Sequence, residues 1–132
     1  MAGKWVDEGE NRVANILFGS TAVDGSLYLR LYTDNTEPAE TDGLADVTEE
    51  TGTGYAAITL TRGTWSITAD VVQYAEQTFT ASAADWVSVY GYYIATSTDN
   101  SGKLLAVENF TDGPYAVGDG NSIKIVPKIT VA

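Results

Sequence analysis

The sequence predicts an all-β protein: an antiparallel β-sandwich or jelly roll with one short N-terminal helix. Three observations carry that expectation. Residues 86–96 form a dense run of β-branched and aromatic residues, the types that suit a packed, pleated surface. Several other stretches alternate apolar and polar residues with period two. Turn clusters such as 97–102 and 117–121 separate these runs. A length of 132 residues suits one domain. We divide it into an N-terminal arm and short helix, 1–20, and a single β-sandwich domain, 21–132.

The helix is expected over Asp7–Phe18. Glu8 and Glu10 near its start suit the helix dipole. Val13, Ile16 and Leu17 give one narrow apolar stripe, and Gly19 follows as a stop. Two readings stand: the helix packs on its own domain, or it is an arm that docks on a neighbour, anchored by Trp5 and Val6.

Residues 26–33 alternate cleanly, with Leu27, Leu29 and Leu31 on one face and Tyr28, Arg30 and Tyr32 on the other. That second face reads as sandwich surface or as a contact patch. Residues 34–54 are unpatterned and rich in carboxylates, among them Asp34, Glu37 and Asp42. A loop this long is commonly functional or mobile. It reads as a solvated acidic loop, as a calcium site lacking the usual ligand spacing, or as an interaction loop that reaches a partner.

Shorter strands follow at 54–61 and 64–68, and a weakly patterned one at 71–80, expected at an edge. In the 86–96 strand both faces are apolar, so it is covered on both sides, or covered on one and engaged by a partner on the other, and Gly91 marks a bulge or a close backbone approach. Residues 103–111 return as a strand with Leu104, Ala106, Glu108 and Phe110 on one face. The last strand, 122–131, contains Pro127, which cannot complete a central ladder, so it should lie at an edge or carry a bulge.

Composition narrows the chemistry. There is no cysteine and no histidine, which excludes disulfides and thiolate metal sites and removes the commonest general base. No Ser-x-x-Lys occurs, and the 117–120 turn lacks the rest of a phosphate loop. We expect no enzyme activity, no cofactor and no metal. The net charge of −11 repels nucleic acid, so no direct contact with DNA is expected. No apolar run approaches the ~18 residues that span a bilayer, and the first ten residues lack a signal-like apolar core. We therefore expect no membrane contact and synthesis in a cytoplasm. Exposed tyrosines and tryptophans would also suit a sugar-binding module.

The order of segments adds a resemblance. A helix ending in Leu-Phe-Gly precedes Leu-Tyr-Leu-Arg-Leu-Tyr-Thr and an acidic loop, followed by Gly-Thr-Gly-Tyr-Ala. Gln-Thr-Phe-Thr-Ala, the 86–95 strand, Gly-Lys-Leu-Leu-Ala and a Gly-Asp-Gly turn complete the series. This resembles small virion structural proteins of tailed bacteriophages, of the jelly-roll capsid cement (decoration) type. The resemblance implies a protein of the capsid exterior, made in the host cytoplasm. Its partners would be the major capsid protein and copies of itself, as a dimer or trimer. The alternative is a tail-fibre or receptor-binding module of the phage tail that binds carbohydrate. For the capsid and subunit interface we single out Trp5, Val6, Val13, Ile16, Tyr28, Arg30, Tyr32, Asp34, Glu37 and Asp42.

Overall fold

A computed structural model describes residues 3–131. It is mostly β, with one helix and several antiparallel sheets. The elements are β1 (Lys4–Trp5), α1 (Asp7–Phe18), β2 (Ser26–Tyr32), a 3-10 turn (Leu44–Asp46), β3 (Ile58–Thr61), β4 (Ser66–Thr68) and β5 (Val71–Gln73). Then come β6 (Gln77–Thr80), β7 (Trp86–Val89), β8 (Gly91–Ala95), β9 (Leu104–Asn109), β10 (Tyr115–Val117), β11 (Ser122–Ile125) and β12 (Lys128–Thr130). The central sheet has five strands in the order β1-β9-β8-β2-β3. Smaller sheets pair β12-β5-β4, β11-β6 and β10-β7.

The 86–96 run is one strand in sequence and two in space. Tyr90 is the joint. Its N–H donates to the Tyr32 carbonyl at 3.0 Å, and its own carbonyl accepts from the Phe110 N–H at 2.9 Å. On one side of the joint the chain pairs with β10; on the other it runs between β2 and β9. Gly91 must be glycine here, because a Cβ would strike the Glu108 carbonyl and the Tyr32 hydroxyl. All five residues of β8 are buried, as expected for a strand covered on both faces.

Two apolar clusters account for that double cover. The larger joins Leu29, Leu31, Trp86, Tyr92, Ile94 and Leu105 with Phe79, Ile125 and Ile129 of the smaller sheets. The smaller joins Tyr32, Tyr93, Leu104 and Val107 with Val6, Leu44 and Val47. Leu44 and Val47 come from the acidic 34–54 segment, so that segment is not the unpatterned loop expected. It runs back along β2: Thr33 N–H donates to the Thr48 carbonyl and Glu50 N–H to the Leu31 carbonyl, both at 2.9 Å. Its period was hidden because only two apolar residues plug the sheet, while its carboxylates satisfy local N–H groups.

The face assignment of the 103–111 strand is corrected by irregular pairing. Ile94 faces Ala106 and Ala95 faces Leu104, so Leu105 is an extra residue in β9. One extra residue turns its neighbours over. Leu105 and Ala106 therefore join the larger cluster, while Leu104 and Val107 join the smaller one. Pro127 likewise breaks the last strand, and its carbonyl accepts the Tyr74 N–H at 2.9 Å. The 71–80 stretch, expected at an edge, also splits; β5 lies between β12 and β4.

The helix spans the residues the pattern indicated. It sits directly on the bulge in β9. Val6 N–H donates to the Leu105 carbonyl at 3.1 Å, and Gly9 is buried against the Leu105 backbone. Strand β1 pairs with β9. Residues 4–18 therefore pack on their own domain.

Candidate functional site

Seating α1 on β9 through Gly9 leaves most of the helix's apolar stripe unfilled. Val13, Ile16 and Leu17, with Trp5, form one wall of an open groove of about 760 Å³. Trp65, Ile67 and Val72 form the facing wall, and Leu27, Leu105 and Ile129 lie at its base. Trp65 is held in place by an edge-to-face contact with Tyr74, their centroids 5.0 Å apart. Large apolar groups that line the groove stand in water: Leu17 is 68% exposed, Ile67 71% and Val23 51%. Contiguous exposure of this kind marks an interaction surface more often than scattered single residues do.

The charged residues lining the groove are Arg12, Asp24 and Arg62. Arg12 grips Asp24 with two hydrogen bonds, at 3.1 Å from Nε and 2.7 Å from Nη2. That contact raises the guanidinium's pKa further. Arg62 is exposed and has no ion-pair partner among the described residues.

A second apolar surface lies elsewhere. Phe110, Tyr115, Val117 and Ile123, with Asn121, Ser122 and Lys124 among them, line a hollow of about 620 Å³, which shares no residue with the groove. Phe110 and Tyr115 rings are 5.2 Å apart. Val87, on the strand paired with β10, is 80% exposed.

The singled-out residues divide sharply. Trp5, Val13 and Ile16 line the groove. Val6 does not: it is fully buried in the smaller cluster. Tyr28, Arg30 and Tyr32 do not form a surface patch either. Tyr32 is fully buried, Tyr28 is half-buried, and Arg30 is 1% exposed. Both faces of β2 are covered, so its alternation separates two cores and not core from solvent.

Arg30 is the hub of a buried polar network. Nε and Nη2 clamp Glu49 at 2.9 and 2.6 Å, and Nη1 reaches the carbonyls of Ser97 and Asp99 at 3.3 and 3.0 Å. The guanidinium lies 5.0 Å from the Tyr93 ring centroid. Tyr55 donates its hydroxyl hydrogen to Glu49 at 2.6 Å, and its oxygen accepts the Leu31 N–H. Burial pushes the Tyr55 phenol far above its ordinary range, and Glu49 adds to the shift. The arrangement ties two connections, 47–57 and 96–103, to β2.

The loop carboxylates are engaged in structure. Asp34 accepts the Thr48 N–H and Asp42 the Ala39 N–H, each at 2.8 Å, and Glu37 pairs with Lys4 at 2.7 Å. Among the described residues no three acidic groups converge as metal ligands would. Glu108 has its pKa raised by burial, against the lowering effect of the Tyr92 hydroxyl that donates to it at 2.6 Å.

Leu17 was visible in the helical stripe, but Trp65, Ile67 and Val87 were not singled out by sequence. The short Trp-Ser-Ile stretch carried a signal in its alternation; for Val87 the signal was only that one apolar face of its strand could be engaged by a partner.

No protein-family model matches the chain, and no curated protein matches it.

Proposed function

We propose that this chain is a bacteriophage virion structural protein of the capsid cement type. In this reading its sheets form a jelly-roll-like sandwich that binds the outer surface of the head and stabilises capsomer joints. The observation that carries the reading is the pair of separate apolar surfaces on an acidic body. A molecule that holds neighbours together needs at least two contact areas. Each can be modest, because many copies bind one shell and avidity multiplies them. The polar groups inside the molecule are spent on joining its own loops, which suits a rigid spacer whose role is adhesion and not bond chemistry.

The surface around Val87 and Tyr115 is the one we assign to the shell, with the major capsid protein as partner. The test is binding to heads that lack the protein. Val87→Asp should lower occupancy by about tenfold or more, the cost of forcing a carboxylate into an apolar contact. Unchanged occupancy would remove this surface from the contact. Failure of the unmodified protein to bind heads, together with specific binding on a glycan array, would make it a receptor-binding module instead. A point substitution is used because a deletion of residues 1–18 would remove Val6 from the core and β1 from the sheet.

A further inference from the structure

We infer that the groove between α1 and the β4–β5 hairpin is an interface with a second copy of this chain, related by a two-fold axis. The argument uses the charge and shape of this one face and does not depend on the virion reading.

Shape comes first. A two-fold contact presents the same patch twice, so the patch must supply both the hollow and what fills it. This face does both. It holds an open apolar groove of about 760 Å³, and two of the residues lining it, Leu17 at the end of α1 and Ile67 on the other wall, are 68% and 71% exposed. Neither side chain has a use within its own chain that explains such exposure. The end of one helix is the right chemistry to enter the other copy's groove.

Charge selects the occupant. The chain carries −11, so a second copy meeting most of its surface would set carboxylate against carboxylate. The groove is different. Its one carboxylate, Asp24, is already gripped by Arg12, and the remaining lining charge is Arg62. This is a face on which two copies of an acidic chain can close without opposing acids. Long-range repulsion between the bodies is screened over about 8 Å at physiological salt.

Sedimentation or light scattering of the purified full chain tests this. At about 100 µM protein the mass should approach twice the 14.0 kDa of the single chain. Association should strengthen as salt rises, because screening removes repulsion and no interfacial ion pair is lost. Leu17→Asp should raise the dissociation constant by about a hundredfold or more, since each substitution enters a two-fold contact twice. Leu17 is exposed, so the variant should keep the parent's circular dichroism and Tm; Ile67→Asp, on the opposite wall, provides the second variant. Val87→Asp should leave the dimer intact.

A single-chain mass at high salt would overturn the proposal. So would a dimer indifferent to both groove substitutions, or one broken by Val87→Asp. A mass three times that of the chain would overturn the two-fold arrangement. None of these outcomes bears on whether heads are bound, which the Val87 surface tests separately.

Discussion

Arg30 is a buried cation held by a carboxylate that keeps contact with water, so the two halves of the pair should respond differently to mutation. The side chain of Arg30 is 2% exposed and that of Glu49 25%. Removing Glu49 strands a positive charge where water cannot reach it. Removing Arg30 leaves Glu49 with the Tyr55 hydroxyl and a route to solvent. Breaking a buried pair from one side costs about 3–5 kcal/mol when the remaining charge is uncompensated. We therefore expect Glu49→Ala to cost about 3–5 kcal/mol. Arg30→Met, which fills similar volume without charge, should cost about 1–3 kcal/mol through the lost hydrogen bonds. Urea denaturation of both variants decides it, and the reverse order of cost would show that the guanidinium's own contacts dominate. Arg30 also illustrates why a strand pattern misleads. Tyr-Arg-Tyr opposite three leucines reads as a solvent face only if one face is assumed to be core. Nothing in β2 itself announces that Leu44 and Val47, over ten residues downstream, will cover it.

At the scale of elements, the contact of α1 with β9 sets both the depth of the groove and the seat of the helix. Gly9 lies with its Cα against Leu105, and a Cβ there would come within 2.7 Å of the Leu105 Cα. Alanine is favoured over glycine inside a helix by about 1 kcal/mol. Steric overlap with backbone cannot be relieved by a rotamer change, so the helix must move, at a cost of about 1–3 kcal/mol or more. Gly9→Ala should therefore destabilise the protein on balance despite its better helix propensity, measured as a lower urea midpoint. An unchanged or raised midpoint would mean that α1 does not sit tightly on the bulge. The helix itself was legible because a stripe of period 3.6 and a glycine stop are local features. So was Gly91, since a glycine amid bulky strand residues has few reasons to be there other than close approach. The Leu105 bulge was not legible: one extra residue leaves the apolar content of a strand unchanged and alters only which way it points. The acidic segment failed for a related reason, because two buried residues among many polar ones make no period. Of the groove, the helical wall could be read from Val13 and Ile16. The facing wall depends on β4 and β5 folding back across the groove from the helix, which no local pattern encodes.

For the molecule as a whole, charge and apolar surface oppose each other, and acidity should tip the balance. At pH 7 the chain carries −11, and its isoelectric point is near 4.1. Repulsion between copies falls as pH is lowered towards that value, while burial of the groove contributes the same at every pH. The charges that line the groove are few, so most of the change falls on carboxylates elsewhere on the chain. If copies meet through the groove, their dissociation constant should fall by about tenfold between neutral pH and about pH 5. An interface built on ion pairs would weaken only once the pH falls below about 5, because carboxylates paired with cations stay ionised above that value. Nonspecific clustering near the isoelectric point would also increase on acidification, so the comparison needs the Leu17→Asp variant. That variant should remain a single chain at about pH 5 while the parent protein dimerises more tightly, since loss of repulsion alone does not create a contact. Equal clustering of the two proteins would assign the association to charge neutralisation, and weaker association of the parent below about pH 5 would place carboxylates at the contact.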